Sequence, residues 1–180
     1  MRTRLIALGA AMALLAGCSS EQPDVPLPPV EIPVEPAATA GGACIFWDYA
    51  FLERMIGVKF SVAASDAVGI TSTCVVQTTA GQWPYLVLSV VESTKADAQL
   101  FAELKPAKAK KLKGLGQAGY RLVSTASGDH GPEIEIGWLS EADQLQTLQF
   151  TFAKDAKADE VEQMQTKLFD LAKAMSTTNG

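Results

Sequence analysis

Apolar positions along this chain follow two periods, helical and alternating, and from residue 43 onward they predict helices interleaved with strands. Ile45, Tyr49, Leu52 and Ile56 recur at helical spacing, with Asp48, Glu53 and Arg54 off the stripe and Gly57 as a natural stop. The first strong strand covers 73–79, Ala80-Gly81-Gln82 reads as a hairpin turn, and a second strand covers 85–92. That second strand is apolar on both faces, Tyr85, Val87 and Val91 against Leu86, Leu88 and Val90, which predicts a central position covered on both sides. Thr94-Lys95-Ala96-Asp97 has a capping-box pattern ahead of a second helix with Leu100, Phe101 and Leu104 on one face, ended by Pro106. A third strand covers 118–126, and Ser127 to Pro132 is a turn cluster. Glu133 to Ser140 alternates, with Ile134, Ile136 and Trp138 inward and Glu133 and Glu135 outward. In the fifth strand, 144–152, Leu148, Phe150 and Phe152 are in phase and Leu145 is not, which predicts a β-bulge near Thr147. The last helix is the clearest element: Val161, Met164, Leu168, Leu171 and Met175 form one stripe, with acidic residues at its start and Lys167 and Lys173 in its later half.

Consecutive strands joined by tight turns imply an antiparallel sheet whose apolar faces need helical cover. The expected class is α+β, an antiparallel sheet of about five strands packed with three helices as a layered sandwich.

The first residues carry a different pattern. Arg2 and Arg4 precede a short apolar run, Leu5 to Leu14, well under the roughly 20 residues a spanning helix needs. Leu15-Ala16-Gly17-Cys18 follows, and it resembles the bacterial lipobox, in which the cysteine thiol receives a diacylglycerol and the chain is cut just before it. The resemblance implies a lipoprotein signal peptide over 1–17 and a lipid anchor on Cys18, held at the extracytoplasmic face of the cell membrane. One acyl chain holds a protein marginally at a bilayer, whereas two or more hold it stably. Loss of Arg2 and Arg4 would take the formal charge from −5 to −7. With Cys18 lipidated, Cys44 and Cys74 remain as an even pair in an oxidising compartment, where a disulfide is expected over two free thiols or half a metal site.

Residues 18–42 read as a tether. Six of the nine prolines lie between Pro23 and Pro36, so the stretch favours polyproline II and spans on the order of 70 Å. Gly41-Gly42 closes it before a folded domain over 43–180.

Composition narrows the chemistry. Fifteen basic against twenty acidic residues in 180 speak against nucleic acid as a partner, and one histidine with three cysteines leaves few ligands for a metal. No cofactor is expected. Gly114-Leu115-Gly116-Gln117-Ala118-Gly119 satisfies a dinucleotide fingerprint literally, yet it follows a lysine-rich helical tail and precedes a strand, the reverse of the required order. Lys105, Lys108, Lys110, Lys111 and Lys113 form a basic run; a solvated helix end is the plain reading, and Lys108, Lys110, Lys111 and Lys113 are the candidates for contact with an anionic surface. Glu133 and Glu135 share a strand face roughly 7 Å apart, near an inverting glycosidase spacing, but alternating glutamates on a solvent-facing strand are common. His130 falls in a turn. Among Phe46, Trp47, Trp83 and Trp138, core packing is the default for all but Trp83, beside Pro84 and a turn.

Taken together, the lipobox, the proline-rich tether, Cys44 before a helix, Cys74 in the next strand and Gly114-Leu115-Gly116-Gln117-Ala118 ahead of Tyr120 resemble the uncharacterised lipoprotein domains of actinobacterial cell envelopes. The resemblance implies a PsbP-like α/β/α sandwich and supplies no catalytic residues. The expected function is a non-enzymatic binding module for another envelope component, a protein, lipid or glycan. The alternatives are a carrier with an apolar cavity for a lipid, or a hydrolase using Glu133 or Glu135.

Overall fold

The computed structural model describes residues 34–91 and 96–178, with side chains to Met175. The leader, Cys18, most of the tether, Thr94 and Lys95 lie outside the described residues. Three α-helices, α1 (Tyr49–Ile56), α2 (Ala98–Leu104) and α3 (Ala158–Thr178), accompany seven strands: β1 (Val62–Val68), β2 (Thr71–Gln77), β3 (Tyr85–Val91), β4 (Lys110–Leu112), β5 (Ala118–Ser124), β6 (Glu133–Leu139) and β7 (Leu145–Thr151). The class is α+β as expected, but the antiparallel sheet has seven strands where five were anticipated, in the order β1-β2-β3-β7-β6-β5-β4. Two meanders meet at its centre, where β3 pairs with β7.

Both additional strands are edges. β1 reads VAASDAV, rich in small and polar residues that disfavour strands, and it is held by its full ladder to β2. β4 lies inside the lysine run, which is therefore no helical tail: α2 ends at Leu104, Pro106 opens a turn, and Lys110–Leu112 pairs with β5. The start of α2 is also later than the capping-box pattern predicts. Asp97 is its N-cap, accepting from the Leu100 amide at 2.8 Å.

The continuous register decides which side chains share a face. Cys74, Val76, Leu86, Leu88, Ile134, Ile136, Trp138, Leu148 and Phe150 all lie on the side covered by α1 and α3, and all are buried. The α3 stripe closes this core as its spacing predicts, each large side chain contributing roughly 2 kcal/mol of burial. Glu160 accepts from the Lys157 amide at 3.0 Å, tying down the first turn of α3.

On the opposite face, among the described residues, the only helical cover is α2, at one end, where Phe101 packs with Tyr120 and Leu139. Tyr85, Val87 and Val91 are consequently half-buried, and β3 is central without being covered on both sides. Leu145 belongs to this α2-covered end, so it is correctly out of phase with Leu148 and Phe150; the pairing runs through Thr147 unbroken and there is no bulge.

The folded unit also takes in residues that the proline spacing assigned to the tether. Two 3-10 turns, Ala37–Ala40 and Gly42–Phe46, pack beside β1 and β2, and Ala37 is fully buried.

Candidate functional site

Cys44 and Cys74 form a disulfide, with Cα atoms 4.9 Å apart. Cys44 sits in the second 3-10 turn, whose Ala43 amide donates to Ser72 Oγ on β2 at 2.8 Å. The bond thus ties the entry turn to the sheet rather than the start of a helix. α1 begins three residues further on than Phe46, capped by Asp48 accepting from the Phe51 amide at 3.0 Å. Because the helical stripe does not reach back past Tyr49, Ile45 is exposed, and so is Phe46, at 39%; Trp47 takes the buried place.

The sheet face left open by α2 carries the polar chemistry of the domain. Across it the ladder aligns Ala64, Val75, Val87, Gln149, Glu135 and Leu122, and beside that row Thr73, Ser89, Thr147, Gly137 and Tyr120. Glu133 and Glu135 do share this face, and both are engaged. The Tyr120 hydroxyl donates to Glu135 Oε1 at 2.6 Å, and the ring lies where a side chain at Gly137 would stand, a Cβ there falling 2.4 Å from it. Glu133 Oε1 accepts from Thr151 Oγ1 at 3.4 Å and lies 3.8 Å from His130 Nε2. His130 Nδ1 donates to the Gly131 carbonyl at 2.7 Å, and its ring packs against Trp83, which also meets Tyr85. His130, closing the turn from Ser127, is therefore half-buried at the rim of the face, and Trp83 is half-buried beside it.

Burial pushes the Tyr120 phenol well above its ordinary value, and the Glu135 carboxylate it bonds adds to the rise. The sign follows: the native state keeps this proton where the unfolded chain releases it, so the stability it contributes is present below pH ~10 and lost as pH rises beyond. In an alkaline titration followed by phenolate absorbance, one of the three tyrosines should ionise only together with unfolding, and that late component should be absent from Tyr120→Phe. A late step that survives the substitution would place the proton elsewhere.

The lysine run is divided by β4. Lys105 is tied to the Ala109 carbonyl at 3.3 Å. Lys110 pairs opposite Arg121 on the α3 side, and Lys111 pairs opposite Tyr120 on the open side. Lys108, Lys110, Arg121, Val123 and Gln165 line a recess of about 140 Å³, while Lys113 lies outside it. Sequence reasoning named the lysines but had no signal for Arg121 or Gln165, which reach them only through strand pairing and helix packing.

The glycine loop is structural. A strand, β4, precedes it and a strand, β5, follows it, so no helix N-terminus is offered to a phosphate. Its Gln117 amide donates to the Leu139 carbonyl at 2.9 Å, and Gln117 Nε2 donates to the Ser140 carbonyl and Asp143 Oδ1. Buried Leu115 anchors it.

An open groove of about 580 Å³ lies between Val58, Pro84, Phe152, Met164, Lys157 and Lys167. Among the described residues no group of metal-ligating side chains gathers, and no helix is long and apolar enough to cross a membrane. No family model, no curated protein and no solved structure matches the chain.

Proposed function

We propose that this chain is a lipid-anchored extracytoplasmic protein whose domain binds another component of the cell envelope and catalyses no reaction. The observation that carries the reading is a sheet with one face sealed by a filled core and the other, among the described residues, largely uncovered. Trp138, Phe150, Leu168 and their neighbours fill the space between the sheet and α1 and α3, which favours an interaction surface over a carrier's internal cavity. The open face mixes apolar Val75, Val87 and Leu122 with Gln149, Thr147 and the glutamates, the composition of a surface that meets a partner. Tyr120, Thr151 and His130 engage the two carboxylates, a plain structural use for them. The Cys44–Cys74 bond fits an oxidising compartment, and Leu15-Ala16-Gly17-Cys18 supplies the anchor. The resemblance to the actinobacterial lipoprotein domains belongs to this same reading, with α2 at one end standing for the second helical layer of their sandwich.

The anchor is tested by metabolic labelling with a clickable fatty acid: the wild type should be labelled and Cys18→Ala should not, and equal label would end that part of the proposal. For the surface, a photo-crosslinking residue is placed at position 87 or 149 in the full chain, with position 107 as the control. A discrete adduct from 87 and 149 but not from 107 is expected. Identical patterns at all three positions would remove the sheet face as the binding surface.

A further inference from the structure

A second site, independent of the open sheet face, lies at the opposite edge of the sheet from β1. We infer that Lys108, Lys110, Arg121 and Gln165 form a binding pocket for a phosphoryl anion.

The argument starts from charge. The chain carries five more acidic than basic residues, so cations are expected to find carboxylate partners. Yet among the described residues none of the three cations of this recess has a carboxylate within 4.0 Å. Glu162, one helical turn before Gln165, is exposed and pairs with none of them. Like charges at a solvated helix end would spread apart. Here they are drawn together: β4 and β5 set Lys110 directly opposite Arg121 on the same face, the preceding loop brings Lys108, and α3 contributes Gln165 to the lining. Holding three positive charges around one recess is unfavourable unless an anion occupies it.

The donors then select the anion. Arg121 is half-buried and presents a planar fork suited to two oxygens of one group. The two lysines are exposed, and the long stem of a lysine gives its ammonium group the reach to meet the remaining oxygens, while the Gln165 amide adds a neutral donor. A pocket of about 140 Å³ is far below the roughly 300 Å³ and upward of drug-sized ligand sites. It accommodates a tetrahedral phosphoryl group and leaves whatever bears that group outside. Val123, an exposed apolar residue of the lining, gives the attached carbon chain an apolar contact. A lipid headgroup and a free phosphate share this chemistry, and the test separates them.

The full chain carrying Cys18→Ala, so that no acyl anchor contributes, is titrated with inorganic phosphate while backbone amide resonances are followed. Saturable shifts are expected at residues 108–112 and 121–123. Arg121→Gln should weaken binding at least about tenfold, Lys110→Gln should weaken it severalfold, and Lys113→Gln should leave it within about twofold. Should Arg121→Gln alter the fold, seen as a loss of its far-ultraviolet spectrum, Lys110→Gln against Lys113→Gln carries the same comparison. Co-flotation with phosphatidylglycerol vesicles, against phosphatidylcholine vesicles, identifies the source. A drop in co-flotation for the pocket variants assigns a lipid headgroup, and phosphate binding without it assigns a soluble phosphate. Absence of saturable shifts, or equal weakening by Lys113→Gln, overturns the pocket.

Discussion

Gly116→Ala should destabilise the folded domain by about 3 kcal/mol, lowering its thermal midpoint by roughly 10 °C. Two costs add. Gly116 has φ +50°, a left-handed conformation that costs a residue with a Cβ about 1–2 kcal/mol. A Cβ built there also falls 2.1 Å from the Leu139 carbonyl oxygen, a backbone atom that cannot swing aside, and relieving such a collision costs typically about 1–3 kcal/mol. The Gln117–Leu139 hydrogen bond would be pushed apart with it. Gly114 is the control. Its φ is +76° but nothing lies within 4 Å of a Cβ, so Gly114→Ala should lose only the conformational part, about 1 kcal/mol. Thermal melts of both variants decide the matter. Equal losses would mean that the loop is not pressed against β6, and the structural account of the Gly-Leu-Gly sequence would fail.

Removing the disulfide should be comparably severe. Cys44→Ala with Cys74→Ala frees a loop with a sequence separation of 30, for which chain entropy assigns about 3.5 kcal/mol. Both cysteines are fully buried, so the substitutions also leave small voids beside Val76 and Leu88. The expected fall in midpoint is again roughly 10 °C. Reductant should lower the wild type most of the way to that curve, short of it by the cost of the voids, and leave the double variant unchanged. A loss under about 1 kcal/mol would show that the hydrogen bond from Ala43 to Ser72 and the burial of Ala37 hold the entry turn unaided.

How far the pattern of residues reached can be followed element by element. The stripe of α3, the inward Ile134, Ile136 and Trp138, and the stop at Gly57 follow from local periodicity, and the structure has them in place. The disulfide followed from counting cysteines. Leu145 shows where local reading breaks down. Taken alone, its phase demanded a bulge; with α2 packed on the second face, an apolar residue on that side is simply in register. Ile45 shows the same from the other direction, since helical spacing placed it on a stripe that begins only at Tyr49, and Phe46, expected in the core, is exposed beside it in the 3-10 turn.

The sequence by itself determined the secondary-structure class, the main core stripes and the cysteine pair, because each depends on spacing within a segment or on a count. Only the tertiary structure decided the rest. β1 and β4 lack apolar alternation and exist through ladder hydrogen bonds to β2 and β5. Lys110 and Lys111 part company because a strand sends neighbours to opposite faces. Arg121 and Gln165 join Lys108 and Lys110 because strand register and helix packing bring together residues far apart in the chain.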